Sequence, residues 1–555
     1  MVAEEVQGET VEASAVTGRS STAASTRWWN GSGALWRALA ALGSGLAQLA
    51  ALPPYGLWWL APLSATLLAL AVLGTRPRRA AWLGAASGAA LMVPLVQWQD
   101  VFGVDVWLLV AAAETVYYIP MAIALALVLR LPGWPVWTAA VWVLQEAVRS
   151  RFPFDGFPWG KLAFSQPGGP FVGYAALGST ALVTFAVALV GALLLWVALR
   201  LLPLLRERAG HGPPLGGGGR GARGIRFAAL SGAGALCGVV AIAVAGAAAP
   251  AIAAPEEEKT VTVALVQGNV PRVGEMDIAG TRTQVLRNHV DGVHRVADQV
   301  RAGEVEQPDM VILPENASDI DAYTDSEAAA MISEAADDAG APLLFGISRF
   351  NDDGVTREVR SVVWEPGAGE PGEHYSKRFL VPFGEYIPYR DFFTRFVSRL
   401  DQVPTDAVPG TEAGDVTIGG TTLATAICFD VAFDRPVREA VAEGGQILAV
   451  PTNNANYNFT GQTDQQLAIT QLRSVEHGRP AVVAATSGVS AVVGADGNVS
   501  YRSPEGEPAE HVADVPAMTG QTIATRLGAL PEAALCAIAA GAVAAAVVAA
   551  RRARP

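Results

Sequence analysis

The sequence predicts a polytopic α-helical membrane domain of about eight transmembrane helices, carrying a water-soluble α/β layered domain before its last span. Three observations carry this. Hydrophobic residues make up 51% of the 555 and charged residues only 16%, with a mean hydropathy of +0.31. Apolar runs of about 20 residues, the length a hydrocarbon core demands, recur through the first half and once near the end. Between 255 and 527 the pattern changes to short apolar runs alternating with helical periodicities. The net charge of -13 comes from acids concentrated between Glu256 and Asp514, which argues against nucleic acid as a partner, since phosphate binding needs clustered Lys and Arg.

Residues 1–33 are rich in Ser, Thr, Ala, Glu and Gly, lack aliphatic periodicity and read as a disordered cytoplasmic tail. The start is acidic and the apolar text begins late, so no cleavable signal is expected. Apolar segments follow at 34–52, 57–74, 80–97, 106–130, 134–149, 171–202 and 226–253. They form a predicted seven-helix domain over 34–254, with a C-terminal span at 528–550 and a basic tail at 551–555. The segment 134–149 is short and contains Glu146. Arg76, Arg78 and Arg79 follow the second segment, and Arg130 follows the fourth. Arg206, Arg208, Arg220, Arg223 and Arg226 surround the Gly/Pro-rich linker after the sixth, and Arg551, Arg552 and Arg554 close the chain. The other loops hold no charge, Asp100 and Asp105, or a mixture of Arg149, Arg151 and Lys161 with Asp155. By the positive-inside rule both termini are cytoplasmic and 255–527 is extracytoplasmic. Two loops on that outer side are aromatic: Pro53-Pro54-Tyr55-Gly56-Leu57-Trp58-Trp59 and Gly156-Phe157-Pro158-Trp159-Gly160. Trp and Tyr favour the membrane interface, so these loops are expected either to anchor the protein or to form a lipid-facing rim that receives acyl chains.

The soluble segment opens on a strand at 261–267, ending in Gly268-Asn269. Apolar residues at Leu286, Val290, Val293, Ala297 and Val300 then recur at helical spacing. Met310-Val311-Ile312-Leu313 is a strand ending at Pro314-Glu315. A helix at 326–339 precedes strands at 342–346 and 360–365, the latter leading towards His374-Tyr375-Ser376-Lys377. Strands within 418–427 end at Cys428, followed by a helix at 436–443, a strand at 446–450 and a helix at 463–477. Strands at 481–486 and 490–493 follow.

Of three cysteines, Cys237 and Cys536 lie in apolar segments, leaving Cys428 as the one thiol of the soluble part. A lone thiol at a strand end is a candidate nucleophile; the plainer alternative is a buried small hydrophobe. Glu315 and Lys377 also follow strands or their turns, and strand ends are where an α/β sheet presents its site. A cysteine nucleophile needs a base, which Glu315 can be, and the oxyanion it creates needs a cation or donor, which Lys377 can be. His374 reads as a solvated turn residue, and the six histidines show no metal-ligand spacing, so neither metal nor other cofactor is expected.

Leu313-Pro314-Glu315-Asn316-Ala317, Lys377 and Ile427-Cys428-Phe429-Asp430 resemble the Glu-Lys-Cys signature of the nitrilase (carbon-nitrogen hydrolase) superfamily. The run from Lys377-Arg378-Phe379 to Tyr386-Ile387-Pro388 is similar to its membrane-bound branch, the apolipoprotein N-acyltransferases. So are Arg473-Ser474-Val475-Glu476-His477-Gly478-Arg479-Pro480 and the two Trp-bearing loops. The resemblance implies a nitrilase-like α-β-β-α sandwich and a ping-pong acyl transfer. Cys428 would take the sn-1 acyl chain of a phospholipid as a thioester and pass it to the α-amine of a lipoprotein's diacylglyceryl-cysteine. Glu315 would be the base, Lys377 the oxyanion partner, and Glu385 a supporting second glutamate. Trp58, Trp159 and Tyr457 would face substrate or lipid. The implied partners are phospholipid, lipoprotein and the bilayer, for a protein acting as a monomer.

The chain departs from the better-known members at Phe429 and Asp430, which replace Tyr-Glu at positions expected to contact substrate and loops. The family's Trp after the first strand appears here as Met276 or a neighbour, and a usual Trp-Phe reads Asn456-Tyr457. Two other readings use the same residues: a membrane-tethered amidase, and a scaffold for a polyprenol-phosphate glycosyltransferase. The irregular connections 383–396 and 453–462 are the expected lids.

Overall fold

The computed structural model describes residues 33–208, 219–252, 255–271, 278–395 and 405–552. The predicted tail at 1–33 lies outside these residues except for its last position. Met276 and the final residue of the first predicted lid, Phe396, are also outside, in the segments 272–277 and 396–404.

Each predicted apolar segment is helical. In order they are α1 (Gly33–Ala51), α2 (Leu60–Val72), α3 (Pro77–Leu95), α4 (Val104–Val116) with α5 (Tyr118–Val128), α6 (Trp134–Arg149), α7 (Ala175–Arg208) and α8 (Gly219–Ala248). Four stretches are long and apolar enough to cross a membrane: Val104–Val128, Val172–Leu201, Ser231–Ile252 and Leu530–Arg552. Small residues let these helices touch backbone to backbone. A Cβ on Gly84 of α3 would fall 2.3 Å from the Tyr118 carbonyl oxygen of α5, and one on Gly191 of α7 2.3 Å from that of Pro62 in α2. Near its start α7 breaks at Gly178 and Ser179, where Ser179 has a φ of +60°.

The sheet domain begins with β1 (Glu256–Gln267), α9 (Ile278–Ala302), β2 (Met310–Ile312), α10 (Ser326–Ala339), β3 (Leu343–Phe350), β4 (Thr356–Trp364) and β5 (His374–Ser376). It continues with the short α11 (Arg390–Phe393), β6 (Asp406–Ala407), β7 (Asp415–Ile418), β8 (Thr421–Thr425), α12 (Asp434–Ala442) and β9 (Ile447–Thr452). Then come α13 (Gly461–His477), β10 (Ala481–Ala485), β11 (Ala491–Val493), β12 (Val499–Arg502) and β13 (Ala509–Thr519), and after them α14 (Ile523–Leu527) and the final α15 (Leu530–Arg552). One sheet has the order β13-β1-β2-β3-β4-β5, with β6 beside β4, and the other β12-β11-β10-β9-β8-β7.

Strand periodicity sorts the layers. Val261, Val263 and Leu265 of β1 join Leu423, Ile427, Ile447 and Val482 of the other sheet in a core between the two sheets. Ala264 and Val266, on the opposite face of β1, pack with Leu286, Val290 and Val293 of α9 and Ile332 of α10. On the far side of the second sheet, Leu448, Val450 and Val483 share a core with Val437 of α12 and Ile469 and Leu472 of α13. That last core runs on without interruption into the membrane helices, through Trp98, Trp159 and Leu162. The result is helices, sheet, sheet, helices, with the α12–α13 layer seated on the helical half. The sequence offered no strand beyond 493, yet β13 pairs along the whole of β1. It is an edge strand carrying Glu510, Asp514 and Pro516, so its apolar alternation is faint.

Candidate active site

Strand β8 ends in a sharp turn. Ile427 is extended, and Cys428 then has a φ of +51°, a region costly for a residue with a Cβ. A short 3-10 turn over Cys428–Ala432 follows, closed by the Asp430 N–H on the Ile427 carbonyl at 3.0 Å. The cysteine stays partly exposed, with no disulfide. Glu315 arrives from β2, buried, at a place where Gly346 must lack a side chain, since a Cβ there would meet the Pro314 carbonyl oxygen at 2.0 Å. Lys377 arrives from β5, its N–H on the Val359 carbonyl at 2.8 Å.

The structure brings Glu315, Lys377, Glu385 and Cys428 into one electrostatic cluster. Lys377 Nζ donates to Glu315 Oε1 at 2.8 Å and to Glu385 Oε1 at 2.9 Å. Glu385 is held in turn by the Val381 N–H at 2.7 Å, and Glu315 Oε2 accepts the Asn453 N–H at 3.0 Å. Two carboxylates hold the Lys377 ammonium well above its usual range despite burial. Burial raises the Glu315 carboxyl, with Lys377 opposing. Burial and then the Glu315 charge push the Cys428 thiol up to about 12. The resting thiol is therefore protonated, beside a carboxylate that is a stronger base than a solvated one. Proton transfer to Glu315 as sulfur attacks is what this arrangement allows.

Asp430 is not a substrate contact, contrary to the expectation for the positions after the cysteine. It is fully buried, and its oxygens accept from the Tyr375 hydroxyl at 2.8 Å, the Phe379 N–H at 2.7 Å and the Ile427 N–H at 3.2 Å. It thus ties the cysteine turn to the strand and loop that carry Lys377. Burial first, against these donors, raises its carboxyl to about 6. Phe429 does meet a loop: its ring stacks on Phe157 and Trp159 at 6.1 and 6.3 Å.

Trp159 is a second correction. It is 2% exposed, and its indole N–H donates to Gln465 Oε1 of α13 at 2.6 Å, so it is an interior strut and not part of a lipid-facing rim. An indole whose N–H finds an acceptor can be wholly buried, and the aromatic composition of the loop could not show that one was waiting some 300 residues away. The loop is fixed from below by fully buried Arg149, which donates to the Phe157 and Trp159 carbonyls at 3.0 and 2.5 Å and pairs with Glu114 at 3.2 Å. Glu146 caps the same loop from Leu162 N–H at 2.7 Å. Trp58 is half-buried, edge-on to Phe171 at 6.4 Å. Tyr457, also half-buried, sits between Trp98 and Phe102 at 5.0 and 6.0 Å.

Sequence reasoning missed the clamp on the exit of the cysteine turn. Arg473, fully buried, donates to the Val431 and Ala432 carbonyls at 2.9 and 3.0 Å and pairs with Asp434 at 2.6 Å and Glu476 at 2.5 Å. Lys161 of the membrane-side loop reaches the same Asp434 at 3.6 Å. The i,i+3 spacing of Arg473 and Glu476 was a visible signal of an ion pair, though not of its target. Among the described residues no group of three or more His, Cys, Asp or Glu could hold a metal ion.

Residues 44–193 match the family described as the apolipoprotein N-acyltransferase N-terminal domain, and residues 262–524 match the carbon-nitrogen hydrolase family. An apolipoprotein N-acyltransferase of Mycolicibacterium smegmatis is 37% identical over 503 residues, spanning 89% of this chain and 82% of that protein. One from Chromobacterium violaceum is 30% identical over 83% of this chain and 84% of its own length. Another, from Azotobacter vinelandii, is 30% identical over 90% of this chain and 92% of its own length.

Proposed function

Because this chain belongs to the apolipoprotein N-acyltransferase family, we propose that it is a membrane acyltransferase that completes lipoproteins by N-acylation through Cys428. In the first half-reaction the sulfur attacks the sn-1 ester carbon of a phospholipid. The thiol proton passes to Glu315 and on to the departing glycerol oxygen, leaving a thioester and a lysophospholipid. In the second, the α-ammonium of the diacylglyceryl-cysteine gives a proton to Glu315 and its nitrogen attacks the thioester. An amide forms, the thiol is restored and one proton is released. Lys377, steadied by Glu385, stabilises each tetrahedral oxyanion, a task worth about 3 kcal/mol. Thioester to amide is downhill, so no nucleotide is consumed.

The observation that carries this reading is the Lys377 ammonium gripped by Glu315 and Glu385 at 2.8 and 2.9 Å beside Cys428, on a domain whose second helical layer rests on apolar helices. We further propose about eight spans, with both termini cytoplasmic, the domain 255–527 outside and the protein working as a monomer. The arginine distribution supports that orientation, with Arg551 and Arg552 at the end of α15. Trp58 and Tyr457 are proposed to face substrate or lipid, and the exposed aromatic residues Tyr389, Phe392 and Phe459 to mark loops that open for substrate. A tethered amidase needs no membrane half packed against its cysteine turn, and a scaffold needs no buried Glu-Lys-Glu cluster.

The test mixes purified protein, a phospholipid labelled in its sn-1 chain and a diacylglyceryl lipopeptide. Labelled triacyl peptide is expected from the wild type and none from Cys428→Ser. Absence of both transfer and a trapped thioester would refute the reading.

A further inference from the structure

The end of α6 and the loop that follows it are folded back on one another. Gly156, at a φ of +80°, lies so close to the helix end that a Cβ would fall 2.2 Å from the Ser150 carbonyl carbon. The Phe157 N–H donates to the Arg149 carbonyl at 2.9 Å. This fold-back brings the Phe157 and Trp159 carbonyls to the Arg149 side chain, where Nη1 alone bonds both of them and Glu114. Glu114 lies inside the apolar stretch Val104–Val128. Arg149 Nε and Nη2 have no hydrogen-bond partner among the described residues, so the side chain acts as a point cation and its planar fork is unused. A buried pair of this kind adds little stability over apolar packing. What it fixes is the place of the loop. The Phe157 and Trp159 rings lie 6.0 Å apart and 21° from parallel, and Phe429 stacks on them at 29° and 25°. Phe429 follows Cys428, whose φ of +51° needs support from outside the turn. On its other side Phe429 meets Phe433 edge-on at 5.1 Å, and Phe433 stacks at 4.1 Å on Phe379, two residues beyond Lys377.

We propose that Arg149, held by Glu114, is a positioning residue for the nucleophile. It sets the Phe157–Trp159 loop against Phe429, and through that ring sets the Cys428 sulfur relative to Glu315 and Lys377. This deepens the acyl-transfer reading of the site and rests on it. The contacts run without a break from the helical half to the cysteine turn: an ion pair, two carbonyls, two rings and then Phe429. Arg149 is wholly buried and cannot touch a lipid, so its effect falls on the chemical step and not on binding. A reacting atom displaced by about 1 Å loses roughly a hundredfold in rate, so a small shift of the loop is enough.

The experiment uses full-length protein with Cys237→Ala and Cys536→Ala, in which a labelled maleimide counts the reactive Cys428 thiols. Two rates are read per counted thiol: thioester formation from a labelled phospholipid, and alkylation by iodoacetamide. Arg149→Gln is expected to lower the first about thirtyfold at saturating lipid and the second about fivefold, with KM changed by less than about twofold. A loss of folding alone would lower the count and leave both rates per thiol in place. Arg149→Lys, which keeps the cation, is expected to come within about threefold of the wild type. Phe429→Leu is expected to match Arg149→Gln, and the two together to fall no further than either. Rates per thiol that Arg149→Gln leaves unchanged would overturn the proposal. So would a raised KM with an unchanged kcat, or additive effects of the changes at Arg149 and Phe429. Should Arg149→Gln not accumulate, Glu114→Gln decides: a fall of about threefold in both rates is expected, and no fall overturns the proposal. A wild type that forms no thioester would refute the acyl-transfer reading, while alkylation, which needs no lipid, would still give the answer for Arg149.

Discussion

Where the helices before residue 252 cross at glycines, backbones touch; around Cys428, buried charges do. Gly84 and Gly191 let helices approach until a single added carbon would strike a carbonyl oxygen. Around Cys428 the close contacts are instead Lys377 with two carboxylates, Arg473 with two more, and Asp430 with three donors. Lipid supplies no hydrophobic drive between apolar helices, so packing and small residues carry the association. A sheet domain has that drive from the sheets themselves and can give interior space to polar groups that function needs. The glycine crossings should therefore respond to volume and not to pH, and the surroundings of Cys428 to charge and to pH.

The largest effect expected is from Lys377→Met. It leaves Glu315 and Glu385 facing one another with no cation, at a cost of about 3–5 kcal/mol, and removes the oxyanion partner. Acyl transfer should fall by roughly a thousandfold, and thermal unfolding at neutral pH should show the lost stability. Glu315→Gln in the same background should recover much of the stability and none of the activity; recovery of neither would mean that the lysine acts by packing alone.

Gly84→Val tests the other region. Overpacking against the Tyr118 backbone should cost about 3 kcal/mol, seen as reduced yield of folded protein in detergent, by the same amount at pH 5 and pH 7. A loss that changed with pH would undo the contrast.

Asp430→Asn probes the charge side at smaller scale. The folded carboxyl sits at about 6 against an ordinary value of 3.8. The folded state thus holds a proton that the unfolded state has shed. This contribution to stability is complete below about pH 4 and is lost as pH rises through 6. Asn removes the titration, so its stability should change less between pH 4 and 7 than that of the wild type. Activity should run the opposite way, since only the ionised form accepts from Tyr375, Phe379 and Ile427 together. Wild-type transfer should fall below about pH 6, and Asn, with one acceptor oxygen, should lower the rate about tenfold across the range. A wild-type rate flat from pH 5 to 7 would rule this out.

The smallest effect belongs to the seam between the regions. Trp159→Phe keeps a ring on Phe429 and loses the hydrogen bond to Gln465, for about 1 kcal/mol in unfolding experiments and a few-fold change in transfer. An unchanged rate would show that α13 does not need this anchor.

The sequence by itself determined the helices, most strands, and the strand-end positions of Glu315, Lys377 and Cys428. Those follow from local patterns: apolar runs sized for a membrane, alternation along a half-buried strand, and a polar residue where an apolar run stops. It could not tell that Trp159 points inward, that Asp430 is a brace, or that Arg473 holds the cysteine turn. Each depends on a partner far along the chain: Gln465 for Trp159, Tyr375 for Asp430, Val431 for Arg473. Only the tertiary structure decided these, because strand register and the docking of α13 on the helical half choose which buried donor meets which acceptor, and no single segment encodes that choice.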